Sequence, residues 1–286
     1  MKLGICTTDF RRAMSPEALC EKIASFGVTT AQLAFESVGI PGFAPSGELE
    51  IPESIPAAVL SALEREAARH GLDFAAVNGT FNMAHPDPAV RAEGVRRMEP
   101  LLDAARALGI PYVTICTGTR NPAHLWRPHP DNETDAAWQD MRETVRRCAE
   151  AADARGLVLC VEVEASNVVN TPEKARALLD SVGSAVKIVL DPANLFHMGT
   201  AHPGNVAETL RNALRLLSRD TVLLHGKDVR EGEGLSFCGA GEGIADFAAL
   251  LAGCPGAHAM LLHGAYEDAA IAKSLGFLRG LMADAG

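Results

Sequence analysis

The sequence has no Cys-x-x-Cys pair, no Gly-x-Gly-x-x-Gly, no apolar run of membrane-spanning length and no excess of positive charge. Each absence excludes something. The seven cysteines, at positions 6, 20, 116, 148, 160, 238 and 254, are odd in number and stand mostly in apolar or helical contexts. They read as reduced core residues, not as a disulfide framework or a zinc knuckle. The opening MKLGICTTDF has no leader-like apolar core, so a cytoplasmic protein with no membrane partner is expected. A formal charge of −10 and a pI near 5.4 disfavour nucleic acid and anionic lipid as partners, since the field repels both. A small anionic substrate stays open, because a few local arginines can override the net field.

What is present is a regular alternation. Short β-branched or apolar runs (2–6, 29–35, 73–78, 111–116, 157–164, 186–191, 221–227 and 258–264) alternate with helix-period stretches. Several of the helical stretches carry start signals, such as Ser15-Pro16 and Thr171-Pro172-Glu173. Strict alternation implies a parallel sheet. Eight such units in 286 residues match a closed (β/α)₈ barrel, a TIM barrel, as one domain over 1–286. A doubly wound open sheet is the alternative, but no phosphate-binding glycine pattern follows the first strand. No linker divides the chain.

In such a barrel the site forms where strands end. Strand three ends near Asn78, with His85 just beyond, and strand four ends at Cys116, followed by Arg120. Cys116 reads as core, because no base can be assigned to it. Strands five to eight end at Glu162 and Glu164, Asp191, His225 and His263. Side chains two apart share a face of a strand, so both glutamates are expected to point inward, and His225 and Lys227 share a face. Carboxylates converging in a barrel mouth are costly without a cation. Glu162, Asp191, His225 and His263 are therefore the expected metal ligands. Mixed carboxylate and imidazole donors suit Mn²⁺, Zn²⁺, Fe²⁺ or Co²⁺ better than Mg²⁺.

VEVEASNVVNT (161–171), IVLDPANLFHMG (188–199), LLHGKDV (223–229) and GAGEGIADFAALL (239–251) together resemble the xylose isomerase-like TIM barrels, in particular the sugar phosphate isomerases and epimerases. The segments at 78–87 and 116–132 look like a subgroup of that family, and the likeness spans nearly the whole chain. The resemblance implies a metal set from strands five to eight, which maps onto Glu162, Asp191 and His225. The fourth family position is a glutamate, and here it is His263. The second half of the family's D-x-x-H block reads Asn194.

The activity so implied is isomerisation or epimerisation of a sugar, sugar phosphate or related hydroxy-keto compound through an enediolate. The metal would chelate adjacent oxygens of an α-hydroxy carbonyl. With only one of the two family glutamates kept, Glu164 is the expected second base, with His263 as an alternative acid/base. One-face isomerisation asks for fewer changes of role than epimerisation. Lys227 would place positive charge at a developing oxyanion, unless it pairs with Asp228 or Glu242. The long loop 117–132 reads as a binding loop. There Trp126 would pack on a sugar face and Arg120 or Arg127 would hold an anion. Asn78, His85 and Asn194 complete the expected substrate contacts. A metal-dependent lyase or dehydratase, or a non-catalytic metabolite-binding barrel, fits the same residues. An endonuclease IV-like phosphodiesterase does not, for want of histidines and a basic face. An exposed apolar stripe on an outer helix would mark a homo-oligomer.

Overall fold

A computed structural model describes residues 1–42, 51–183, 185–196, 200–232 and 236–284. Part of the Pro/Gly-rich loop expected at 39–56 and the end of the 188–199 block lie outside the described residues. The strands are β1 (Lys2–Cys6), β2 (Thr30–Leu33), β3 (Asp73–Asn78), β4 (Tyr112–Cys116), β5 (Val158–Glu162), β6 (Val186–Leu190), β7 (Thr221–Val229), β8 (Phe237–Gly239) and β9 (Ala259–Leu262). The helices are α1 (Pro16–Ser25), α2 (Ala57–His70), α3 (Pro88–Ala107), α4 (Asp135–Asp153), α5 (Pro172–Val182), α6 (Val206–Leu217), α7 (Phe247–Gly253) and α8 (Asp268–Asp284).

Eight strands pair in parallel in the order β6-β5-β4-β3-β2-β1-β9-β7, and the β6–β7 pairing closes the ring. This is the expected (β/α)₈ barrel. The ninth strand, β8, was not expected. It pairs antiparallel with the far end of β7, Lys227 opposite Gly239, and is only three residues long, too short for a periodicity signal.

Local chemistry sets the helix starts. Ser15 accepts a hydrogen bond from Ala18 N at 3.2 Å, ahead of Pro16. Thr171 does the same for Lys174 N at 3.2 Å, ahead of Pro172. Each cap satisfies an amide that has no partner within its helix.

The core has two layers. Alternation along β5 sends Leu159 and Val161 into the large cluster between strands and helices. Cys160 instead joins a small inner cluster with Cys6, Ala75, Val189, Leu223 and Leu261. Cysteine, alanine, valine and leucine side chains fill the barrel floor, and the next inward positions on β5 and β7 are Glu162 and His225. The pleat that packs the core thus also aims the polar residues. Among the described residues no helix is long and apolar enough to cross a membrane.

Candidate metal and substrate site

Glu162 closes β5, Asp191 follows β6 and His225 lies within β7. Their donor atoms lie within 4.8 Å of one another. His225 Nδ1 is 3.3 Å from Glu162 Oε1 and 3.4 Å from Asp191 Oδ2. All three residues are buried.

Each is held from behind. Asp191 Oδ1 accepts from Ala193 N (2.9 Å) and Asn194 N (3.3 Å). Glu162 Oε1 accepts from Asn194 Nδ2 at 2.7 Å. His225 Nε2 faces Gln32 Oε1 at 3.2 Å. The amide oxygen only accepts, so Nε2 carries the proton and donates, and in the neutral ring Nδ1 is the lone-pair nitrogen.

Electrostatics in the cluster are strong. Lys227 Nζ lies 2.9 Å from Asp191 Oδ2. This partner is neither Asp228 nor Glu242, the two neighbours weighed from sequence. Burial alone would lower the Lys227 pKa, but Asp191 and Glu162 raise it, and the ammonium stays charged. Burial alone would raise the Asp191 pKa, but Lys227 and His225 hold it below the usual carboxylate range. His225 is likewise driven above its ordinary value against the effect of burial, chiefly by Glu162.

Three buried atoms here have no hydrogen-bond partner: Asp191 Oδ2, His225 Nδ1 and Asn194 Oδ1. The Lys227–Asp191 contact is short enough for an ion pair yet does not give Oδ2 a directed hydrogen bond. Orphaned buried polar atoms in native proteins call for a partner. Two carboxylates and an imidazole nitrogen converging on one point fit a divalent cation, and mixed oxygen and nitrogen donors suit zinc or manganese.

His263 lies apart from this group. It follows β9, and its ring centroid is 5.3 Å from that of His225. Its Nδ1 is 2.8 Å from Asp9 Oδ1, and Asp9 Oδ2 accepts from Ala265 N at 3.1 Å. Among the described residues the group that could hold an ion contains Glu162, Asp191 and His225 without His263. Asp9 is fully buried in the 3₁₀ turn after β1. The sequence reading missed both Asp9 and Gln32. Gln32 stands near the end of β2, where the same question about strand ends would have found it. Asp9 is three residues past its strand, beyond the reach of alternation.

Glu164 differs from expectation in how it is placed. The strand ends at Glu162, so a turn, not the pleat, positions Glu164. Its Oε2 accepts from Ser166 N (2.9 Å), from Asn167 Nδ2 (3.0 Å) and from the Ser166 hydroxyl. Burial raises its pKa, against the opposing bonds from Ser166.

These groups open onto a cavity of about 600 Å³. Glu162, Glu164, Asn194, Lys227, His263 and Trp126 line it. The other expected substrate residues are not among its lining residues. Arg120 was expected at an anion, but its guanidinium is held by Asp140 of α4 at 2.7 Å and by Ala84 O at 3.1 Å. It braces the long loop. His85 accepts from Asp87 N at 3.0 Å, and Asn78 accepts from Thr80 N at 3.1 Å. Both act on local backbone. Arg127 is exposed beside Trp126.

Asp228 explains the glycine spacing of 239–251 in physical terms. Its Oδ1 accepts from Val229 N (2.8 Å) and Ala245 N (2.9 Å). Its Oδ2 accepts from Gly241 N (3.0 Å) and Gly243 N (2.9 Å). A Cβ on Gly243 would sit 2.4 Å from that carboxylate, so only glycine lets the loop close on it.

A family model described as xylose isomerase-like TIM barrel matches residues 20–253. Among solved structures, a D-psicose 3-epimerase from Clostridium cellulolyticum H10 with D-tagatose is 18% identical over 99% of both chains, with a TM-score of 0.70. The probable 3-DHS dehydratase AsbF from Bacillus anthracis is 14% identical over 98% of this chain and 99% of its own, at 0.72. The IolI protein with a bound zinc atom is 16% identical over 99% and 97%, at 0.68. At these identities the likeness is one of fold. No curated protein matches the chain significantly.

Proposed function

The chain belongs to the xylose isomerase-like TIM barrels, and from that premise we propose that it is a metal-dependent isomerase acting on a sugar or related α-hydroxy-ketone. The observation that carries this reading is the buried Glu162–Asp191–His225 group with its orphaned Nδ1 and Oδ2 atoms. These three residues would hold a divalent cation, with Mn²⁺, Zn²⁺, Co²⁺ or Fe²⁺ preferred over Mg²⁺. Once bound, the cation supplies Lewis-acid polarisation of a carbonyl and its neighbouring hydroxyl.

The chain's own residues do the rest. Glu164, raised above the ordinary carboxylate range by burial, takes the proton from the carbon beside the carbonyl and returns it to the neighbouring carbon. Its Oε2 is committed to Ser166 and Asn167, so Oε1 is the oxygen that moves the proton. Lys227 keeps an ammonium at the cavity wall, where it offsets charge developing on the substrate oxygens. His263 has Nδ1 directed at Asp9, which fixes the ring and leaves Nε2 to exchange a proton with a substrate hydroxyl.

Apart from Glu162, Glu164 is the one carboxylate lining the cavity among the described residues. With Glu162 committed to the cation in this reading, Glu164 alone is left to move a proton as a carboxylate, which favours one-face isomerisation over epimerisation. Dehydration of a β-hydroxy-ketone also needs one base and one acid and is the second reading. The test is proton exchange at the carbon next to the carbonyl. A panel of ketoses is incubated in D₂O with the Mn²⁺-loaded enzyme and followed by NMR. Deuterium incorporation with an aldose product supports the isomerase, and loss of water supports the lyase. No exchange in any ketose, with metal bound, would sink both.

A further inference from the structure

The chain has only fourteen aromatic residues, with two tryptophans and two tyrosines among them. Among the described residues five large hydrophobics are substantially exposed, and three of them share one place: Trp126 (39%), Phe237 (36%) and Tyr266 (40%) all line the candidate site cavity. They come from three separate segments, the loop after β4, the strand β8 and the turn after β9. Exposed apolar surface gathered in this way marks a binding surface.

Two of the rings are held in place by cations. Lys227 Nζ lies 4.5 Å from the Phe237 ring centroid, and the Arg11 guanidinium lies 3.2 Å from that of Tyr266. Arg11 is the one non-glycine residue with a left-handed backbone among the described residues, at φ 51°. It ends a 3₁₀ turn where glycine or asparagine is the usual choice. The chain tolerates arginine at this strained position, and its side chain stacks on Tyr266.

The cavity of about 600 Å³ falls in the range that buries ligands of drug size, roughly 300–1,000 Å³, more than one six-carbon sugar fills. The polar groups assigned to the chemistry are at its inner end, with Glu162 and Lys227 buried and Glu164 and His263 lining the same cavity. The outer end offers flat apolar rings, two of them in contact with a cation, which suit a pyranose ring lying face-on.

We infer that the substrate is a glycoside: a ketose or keto-sugar unit carrying a second sugar ring, with Trp126, Phe237 and Tyr266 forming the collar that receives the second ring. This rests on the isomerase reading above for the inner unit. It assigns Phe237 and Tyr266 a role in specificity that neither motif nor strand alternation signalled.

The test compares two probes on the Mn²⁺-loaded full-length protein by isothermal titration calorimetry: D-fructose, and isomaltulose, which is fructose bearing a glucosyl ring. The expected result is an affinity for isomaltulose about tenfold higher, equivalent to ~1.4 kcal/mol. In Trp126→Ala and in Phe237→Ala that ratio falls toward one. Circular dichroism confirms that each variant is folded. Equal affinity of the two probes in the parent overturns the collar and leaves the isomerase reading standing. A ratio unchanged in both variants overturns it as well. Binding of neither probe to metal-loaded protein overturns the collar together with the sugar reading. Sedimentation velocity closes the last route: a parent dimer that Trp126→Ala converts to monomer, with the probe ratio unaltered, makes the rim an interface between copies and overturns the proposal.

Discussion

Replacing Asp228 with alanine removes one buried carboxylate and strands four backbone amides, those of Val229, Gly241, Gly243 and Ala245. A hydrogen bond to a charged group contributes about 1.5–3 kcal/mol net. The four share one acceptor and water reaches the loop once the carboxylate is gone, so their contributions do not add. A loss of about 4 kcal/mol is expected, near the upper end for a single substitution. A chain of this size loses roughly 2 °C of melting temperature per kcal/mol, so Tm should drop by about 8 °C. Asp228→Asn keeps one acceptor oxygen and turns an NH₂ group toward two amides, so it should fall between the parent and the alanine variant. The assay is thermal unfolding by circular dichroism at neutral pH with metal saturating. The loop that Asp228 holds follows β8 directly, so catalytic efficiency should drop along with stability. A Tm loss under about 2 °C for Asp228→Ala would refute the claim that this carboxylate organises the 239–245 loop.

Lys227→Met leaves Asp191 and Glu162 buried without their ammonium. In metal-free protein this should cost about 3–5 kcal/mol, as for a broken buried pair, and saturating Mn²⁺ should restore most of it; melts with and without the ion check this. Asp191 has a depressed folded pKa, so its stabilising share is present above the unfolded value of about 3.9 and is lost as pH falls toward the folded value. The same Lys227→Met change should therefore move the acid-unfolding midpoint to higher pH. Glu164 has a raised folded pKa, so the sign reverses. Its contribution is full below the unfolded value of about 4.3 and fades as pH rises through the folded value. Glu164→Gln should raise Tm at pH 8 relative to the parent, leave it nearly unchanged at pH 4, and abolish solvent exchange.

The barrel was legible because βα alternation is a long-range pattern that every segment repeats. The convergence of Glu162, Asp191 and His225 was legible for a narrower reason. Glu162 and Asp191 stand at or next to strand ends and His225 lies within β7, where a period of two decides direction, and the same pleat sends Cys160 and Leu223 into the barrel floor. Once the chain leaves the pleat, that logic stops. Glu164 reaches the cavity through a turn held by Ser166 and Asn167. Asp9 meets His263 across a sequence separation of 254 residues, which no local pattern encodes. Arg120 shows the opposite limit. A lone arginine in a mouth loop reads as an anion holder, yet Asp140 on α4 takes its guanidinium, and only the packing of that helix reveals it. Lys227 was placed on the correct strand face, but its partner Asp191 became evident only when β6 and β7 were set side by side.

Metal stoichiometry by elemental analysis of untagged protein, purified without chelator, tests the central claim most directly. The parent, Glu162→Gln and His263→Ala are measured together. The account predicts about one transition-metal ion per chain in the parent, loss of that ion in Glu162→Gln, and retention in His263→Ala, because His263 is held by Asp9 outside the Glu162–Asp191–His225 group. A parent that takes up no ion even after incubation with Mn²⁺ or Zn²⁺ would contradict the account and leave a metal-free barrel that binds a metabolite.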